Sequence, residues 1–122
     1  MLFQKNMKKI LAARGYRHCE SDEEFTRHGD YVRNIQYVFS KEFKGGREKV
    51  VDLVFLGADV LSEKLVIGFY RENVSIENGV LENSDTSIPL ERFTYEEFEK
   101  QLNRLIPRGN PLRKGADSGE PF

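Results

Sequence analysis

The sequence predicts an α+β domain: an N-terminal helix, an antiparallel meander of four to six strands and a C-terminal helix, with both helices packed on one face of the sheet. Three observations carry that expectation. The chain opens on an apolar stripe at helical spacing, and residues 94–106 form a second, well-capped amphipathic segment. Between them lie apolar runs of strand length, separated only by short turn signals. No helical segment separates those runs, so the crossovers that parallel βαβ units require are missing.

Along residues 2–14, Phe3, Met7, Ile10 and Leu11 follow a helical period, and Lys5, Lys8 and Lys9 fall largely outside the stripe. Gly15 is well placed to end this helix in a left-handed cap. Residues 16–19 read as the start of a strand, and the acidic stretch 20–24 reads as a loop. Residues 25–28 and 31–39 flank Gly29-Asp30 as a hairpin, with Ile35, Tyr37 and Phe39 alternating cleanly. Gly45-Gly46 forms a turn into the central strand.

The central runs, residues 50–56 and 65–70, do not alternate as half-buried strands do. Val51, Leu53 and Phe55 line one face of the first, and Val50, Val54 and Leu56 line the other. The second run sets Leu65, Ile67 and Phe69 against Val66 and Tyr70. Both faces of the sheet centre therefore want cover, and two helices shield only one. The expected uncovered set is Val50, Val54, Leu56, Val66 and Tyr70. Asn78-Gly79 then favours the positive backbone angles of a type I′ hairpin turn.

The C-terminal helix is the best-specified element. Thr94 and Glu97 form a capping box, Phe93 and Phe98 a hydrophobic staple, and Pro107 a stop. Phe98, Leu102, Leu105 and Ile106 lie along one stripe. Residues 1–107 read as a single domain, and 108–122, rich in Pro, Gly and charge, as a flexible tail.

At 122 residues with 39% apolar and 11% aromatic content, the chain can bury one core. Nineteen basic residues against twenty acidic ones argue against a dedicated nucleic-acid binder, which usually shows a basic excess. The charges are segregated, however: Lys5, Lys8, Lys9, Arg14 and Arg17 precede Glu20, Asp22, Glu23 and Glu24. Such a dipole can orient a partner, and a pair of ordinary solvated faces explains it as well. Cys19 is the only cysteine, which fits a reducing compartment. No secretory signal or bilayer-spanning run is visible, so a cytoplasmic location without membrane attachment is expected.

Four constellations bear on chemistry. Asp30 with Glu42-Phe43-Lys44 fits the loose nuclease-like pattern of an acid followed by Glu-x-Lys, which can hold a divalent metal. Here Lys44 runs into Gly45-Gly46 and another strand, so an exposed polar hairpin end is the plainer reading. His18, Cys19 and His28 offer zinc or nucleophile chemistry, but no paired spacing supports it. Asp52 inside an apolar strand must reach water, shift its pKa or pair, with Lys49 or Arg71 as its partner. Tyr16, Tyr31, Tyr37 and Tyr70, interleaved with Arg17, Arg33 and Arg71, could stack on single-stranded bases.

None of these amounts to a catalytic, metal or cofactor signature, and no cofactor is expected. The leading expectation is a small non-enzymatic protein-interaction module of the inhibitor, immunity-type or accessory-factor class. It would bind another protein, or a second copy of itself, through the sheet (Leu56, Tyr70) or the acidic segment (Glu20, Asp22, Glu23, Glu24). The alternative is nucleic-acid binding through Lys5, Lys8 and Lys9 of the first helix with Arg33 and Tyr37 of the strands.

Overall fold

The computed structural model describes residues 2–25, 32–59 and 63–112, with the side chains of 2–4, 20–25, 32–36 and 59 outside the description. Helix α1 (Leu2–Ala13) is followed by strands β1 (Arg17–Phe25), β2 (Val32–Gly45), β3 (Glu48–Asp59), β4 (Lys64–Asn73) and β5 (Val80–Pro89). A short 3-10 turn (Leu90–Arg92) then leads to α2 (Tyr95–Leu105). The strands form one sheet in the order β1-β2-β3-β4-β5, antiparallel throughout. This is the expected meander between two helices.

Local chemistry sets both helix boundaries. Gly15 adopts φ +90. Its N–H donates to the Ala12 carbonyl and the Tyr16 N–H to the Leu11 carbonyl, each at 3.0 Å. These are the two reverse bonds of a Schellman cap, and they turn Tyr16 back under the helix into the core. At α2, the Thr94 hydroxyl accepts from the Glu97 N–H at 2.9 Å, and Phe93 and Phe98 stack with ring centroids 6.2 Å apart. The Glu97 carboxylate does not reach back along the helix; it accepts from Gln101 Nε2 at 2.7 Å. The capping box is thus half made, and the staple supplies the rest.

The acidic stretch expected as a loop is part of β1, whose backbone pairs with β2 from Arg17↔Ser40 to Phe25↔Val32. Strand formation there rests on ladder bonds with β2 rather than on apolar content. Charge on an edge strand also discourages pairing with foreign strands. Residues 26–31 of the expected hairpin, His28 and the Gly29-Asp30 turn among them, lie outside the described residues.

Register decides which apolar residues are core. Leu56 pairs with Ile67 and Val54 with Phe69, and directly paired residues share a face. Val50, Val54 and Leu56 therefore join Leu65, Ile67 and Phe69, not Val66 and Tyr70. Val54 and Leu56 pack with the β4 trio against Met7 and Leu11 of α1 and Phe98 and Leu102 of α2. Leu56 is 1% exposed. One face is covered by both helices, as expected, but the uncovered β3 residues are Val51, Leu53 and Phe55.

The β4–β5 connection is also longer than a two-residue turn. Strand β4 ends at Asn73, and the loop 74–79 is tied to the start of β3. Val74 N–H donates to the Lys49 carbonyl at 2.9 Å, and Lys49 N–H donates to Ser75 Oγ at 2.7 Å. Asn78 takes φ +53 and Gly79 does not take a positive φ, so the turn is not type I′. Gly79 is required for a different reason: a Cβ there would overlap the Asn73 carbonyl oxygen. After α2 the chain turns along the helix-covered face, and Leu112, in the segment expected as tail, is 4% exposed.

The Gly79 contact predicts that Gly79→Ala lowers unfolding free energy by about 2 kcal/mol or more, read as a reduced urea midpoint at unchanged m-value. An unchanged midpoint would show that the loop 74–79 relaxes without resistance.

Candidate functional site

Two places in this fold concentrate features beyond ordinary packing, one on each face of the sheet. The first lies on the helix-covered face. There the ladder sets Lys41, Asp52 and Arg71 side by side in one cross-strand row. Asp52 is 0% exposed and Arg71 6%. Arg71 donates from Nε to Asp52 Oδ1 at 2.6 Å and from Nη2 to Oδ2 at 2.9 Å. The Tyr16 hydroxyl adds a third bond to Oδ2 at 2.9 Å. A carboxylate removed from water needs such partners, because a buried unpaired charge is strongly destabilising. Of the two partners expected for Asp52, the structure selects Arg71.

Both neighbours respond electrostatically. Burial, followed by the negative charge of Asp52, pushes the Tyr16 phenol well above its ordinary range. The hydrogen bond to Asp52 raises Arg71 despite the opposing effect of burial. A cavity of about 180 Å³ opens beside the triad, lined by Arg14, Lys41 and Phe43 and roofed by the chain at 106–109. Arg14 is held by Asn103 at 2.8 Å and Glu99 at 3.2 Å on α2. Lys41 Nζ donates to the Arg14 carbonyl at 2.9 Å.

The second place is the opposite face. Val38, Phe55 and Gly68 form one row and Ser40, Leu53 and Tyr70 the next. Phe55 lies opposite Gly68, where a Cβ would make ordinary contact at 3.6 Å from Phe55 Cβ. Val66 is 39% exposed, and Val38, Val51, Leu53, Phe55 and Tyr70 are partly exposed. None of these belongs to the core cluster, and none of the described helices covers them. Polar pairs frame this apolar centre. Tyr70 donates to Glu72 at 2.7 Å, which raises its phenol pKa. Glu42 lies 3.4 Å from Lys49 and 3.9 Å from Lys44.

The residues expected to act together are divided by this geometry. Tyr70 is on the open face, and Leu56 is in the core beneath the helices. Glu20, Asp22, Glu23 and Glu24 stand in β1 opposite Val38, Gln36, Ile35 and Asn34; their side chains lie outside the described residues. Lys5 and Lys9 are exposed on α1 and Lys8 is half-buried. Tyr37 packs against the core on the helix-covered face, and the Arg33 side chain lies outside the described residues.

Glu42 and Lys44 of the nuclease-like trio pair with each other and with Lys49. His18 packs against the Tyr37 and Phe39 rings at 5.9 and 5.2 Å, and the exposed Cys19 thiol donates to Ser40 Oγ at 2.9 Å. Among the described residues no group of three or more His, Cys, Asp or Glu side chains could hold a metal, and no helix is long and apolar enough to cross a membrane. Comparison with protein-family models, with curated proteins and with solved structures finds no match.

Sequence reasoning did not find the contribution of Tyr16 or the cavity beside it. The only sequence signal was the Gly15 cap, which dictates that the next residue turns inward.

The triad makes two predictions. Asp52→Leu or Arg71→Met alone should destabilise by about 3–5 kcal/mol, because each strands or removes half of a buried pair. The double variant should lose much less than the sum, and additive losses in chemical denaturation would show that the two groups do not act as a pair. Because the Tyr16 pKa is higher folded than unfolded, its contribution is complete below the ordinary value of 10.0 and declines as pH rises beyond it. Tyr16→Phe should therefore flatten the alkaline fall in stability, which equilibrium unfolding across that range measures.

Proposed function

We propose that the chain is a small non-enzymatic interaction module that binds another protein through the open face of its sheet. The observation that supports this reading is the asymmetry between the two faces. Phe39, Val54, Leu56, Ile67 and Phe69 are buried beneath two helices, while Val38, Leu53, Phe55, Val66 and Tyr70 form a contiguous apolar centre on the other side without described cover. Scattered apolar exposure is ordinary on a protein surface, but a contiguous patch framed by polar residues is a mark of an interface. The partner this surface fits is a folded protein with an apolar contact area, since the polar groups at its margin already pair with one another, Glu42 with Lys44 and Lys49 and Glu72 with Tyr70.

The aromatic pair Phe55 and Tyr70 supplies the natural anchors, because large rings at the centre of an interface carry most binding energy. The backbone of the acidic strand β1 borders the same face through its pairing with β2. A basic rim on the partner would meet it there and raise the association rate.

Tyr70→Asp and Val66→Asp should each weaken complex formation by about ten-fold or more while leaving the isolated chain folded, since both positions are only partly buried. Leu56→Asp, by contrast, should unfold the chain. Light scattering of the purified protein, with binding measured on the partner recovered by affinity capture, reads these outcomes; a dimeric mass would identify the partner as a second copy. If Tyr70→Asp and Val66→Asp are as unfolded as Leu56→Asp, or bind unchanged, the face is not an interface.

A further inference from the structure

On the helix-covered face, the cavity beside Asp52 has an imbalance that the fold does not explain. Its wall carries three cations, Arg14, Lys41 and Arg71, and one carboxylate, Asp52. Arg14 is matched by Glu99 and Arg71 by Asp52. Lys41, half-buried, has no carboxylate partner among the described residues; its one hydrogen bond goes to a backbone carbonyl. Glu82 stands beside Arg71 in the next strand, and does not line the cavity.

Donors and acceptors are equally uneven. Asp52 Oδ1 accepts from Arg71, and Oδ2 accepts from both Arg71 and Tyr16, so three of the roughly four acceptor sites of the carboxylate are taken. Lys41 keeps two of its three ammonium protons unbonded. Arg71 commits Nε and Nη2 to Asp52 and leaves Nη1 without a hydrogen bond among the described residues; since no fully buried side-chain nitrogen or oxygen there lacks a partner, this edge of the guanidinium reaches solvent. Both cations sit over the Phe43 ring, at 5.1 and 5.6 Å from its centroid. The cavity lining therefore offers more free donors than free carboxylate sites, and with its ion-pair partners it carries one positive charge in excess, Glu82 acting on Arg71 from outside the lining.

We propose that this cavity is a receptor for a small oxyanion, a carboxylate or phosphate group, bound by Lys41 Nζ and the free edge of the Arg71 guanidinium. The volume suits such a group: about 180 Å³ is room for about six waters at roughly 30 Å³ each. Charge-assisted hydrogen bonds from an ammonium and a guanidinium are the strong kind, and Asp52 holds Arg71 in place before the ligand arrives. The Gly15 cap leaves Lys41 its place, since a Cβ there would come within 3.1 Å of Lys41 Cε and require the side chain to shift by a few tenths of an ångström.

The site lies on the opposite side of the sheet from the proposed protein-binding face, so either reading can fail without the other. The test is a titration of the isotope-labelled full chain with inorganic phosphate and, separately, with acetate, followed by NMR at ionic strength balanced with chloride. Saturable shifts at Lys41, Arg71 and Tyr16, with Val66 unmoved, are expected for at least one anion, and which one responds decides between phosphate and carboxylate. Lys41→Met and Lys41→Gln should each weaken binding about ten-fold or more, and Lys41→Arg should restore most of it. Shifts that do not saturate, that chloride reproduces, or that survive intact in whichever neutral variant is folded would overturn the proposal.

Discussion

A carboxylate with no access to water governs how this sheet is assembled. Asp52 sits at the middle of the central strand, between Lys41 on one side and Arg71 on the other, and only the observed register supplies Arg71 directly opposite it. A slip of one residue would set Asp52 against Tyr70 or Glu72 and turn every side chain of β4 to the other face. The buried apolar face already favours one parity, and a buried charge with one matched partner further penalises every other pairing. The ion pair is thus better understood as a device that selects one pairing than as a source of net stability, which buried pairs seldom provide.

The two faces follow from that pairing. With Asp52 opposite Arg71, Val54 and Leu56 fall beside Phe69 and Ile67 and meet the apolar stripes of both helices. Val51, Leu53 and Phe55 are left on the other side with Val66 and Tyr70, in a part of the fold where no described helix reaches. The Schellman cap at Gly15 completes the arrangement by delivering Tyr16 to the third bonding position on Asp52. Helix termination, strand register and the polar triad are consequently one coupled construction rather than three separate features.

Elements specified by local chemistry were legible in the sequence. Thr94, Phe93 and Phe98 announce α2, and Gly15 announces the end of α1, because caps and staples involve residues within a turn of one another. The central strands were legible from their apolar density and β-branched content. What escaped depends on distant partners. The acidic residues of β1 form a strand because β2 offers a ladder, and nothing in their own composition favours it. The loop 74–79 is set by bonds to Lys49, far back in the chain. Continuous apolar runs give no indication of parity, and only the pairing of Val54 with Phe69 and Leu56 with Ile67 places Val51, Leu53 and Phe55 on the uncovered side. Arg71 could be anticipated as a partner of Asp52 from charge alone. Tyr16, 36 residues away, could not.

The distribution of polar bonding explains why the two faces suit different kinds of ligand. On the helix-covered side, burial makes each hydrogen bond strong and the unused donors of Lys41 and Arg71 open on the cavity, so recognition there selects a small group that brings charge and acceptors. On the open side, the few polar groups pair among themselves along the margins, Tyr70 with Glu72 and Glu42 with Lys49, and the centre offers area rather than hydrogen bonds. A surface of that kind binds by excluding water over a broad contact, and it needs a rigid backbone to keep the cost of ordering small. The central strands supply that rigidity because their other face is already packed, so the fully buried core and the uncovered patch are two consequences of the same strands.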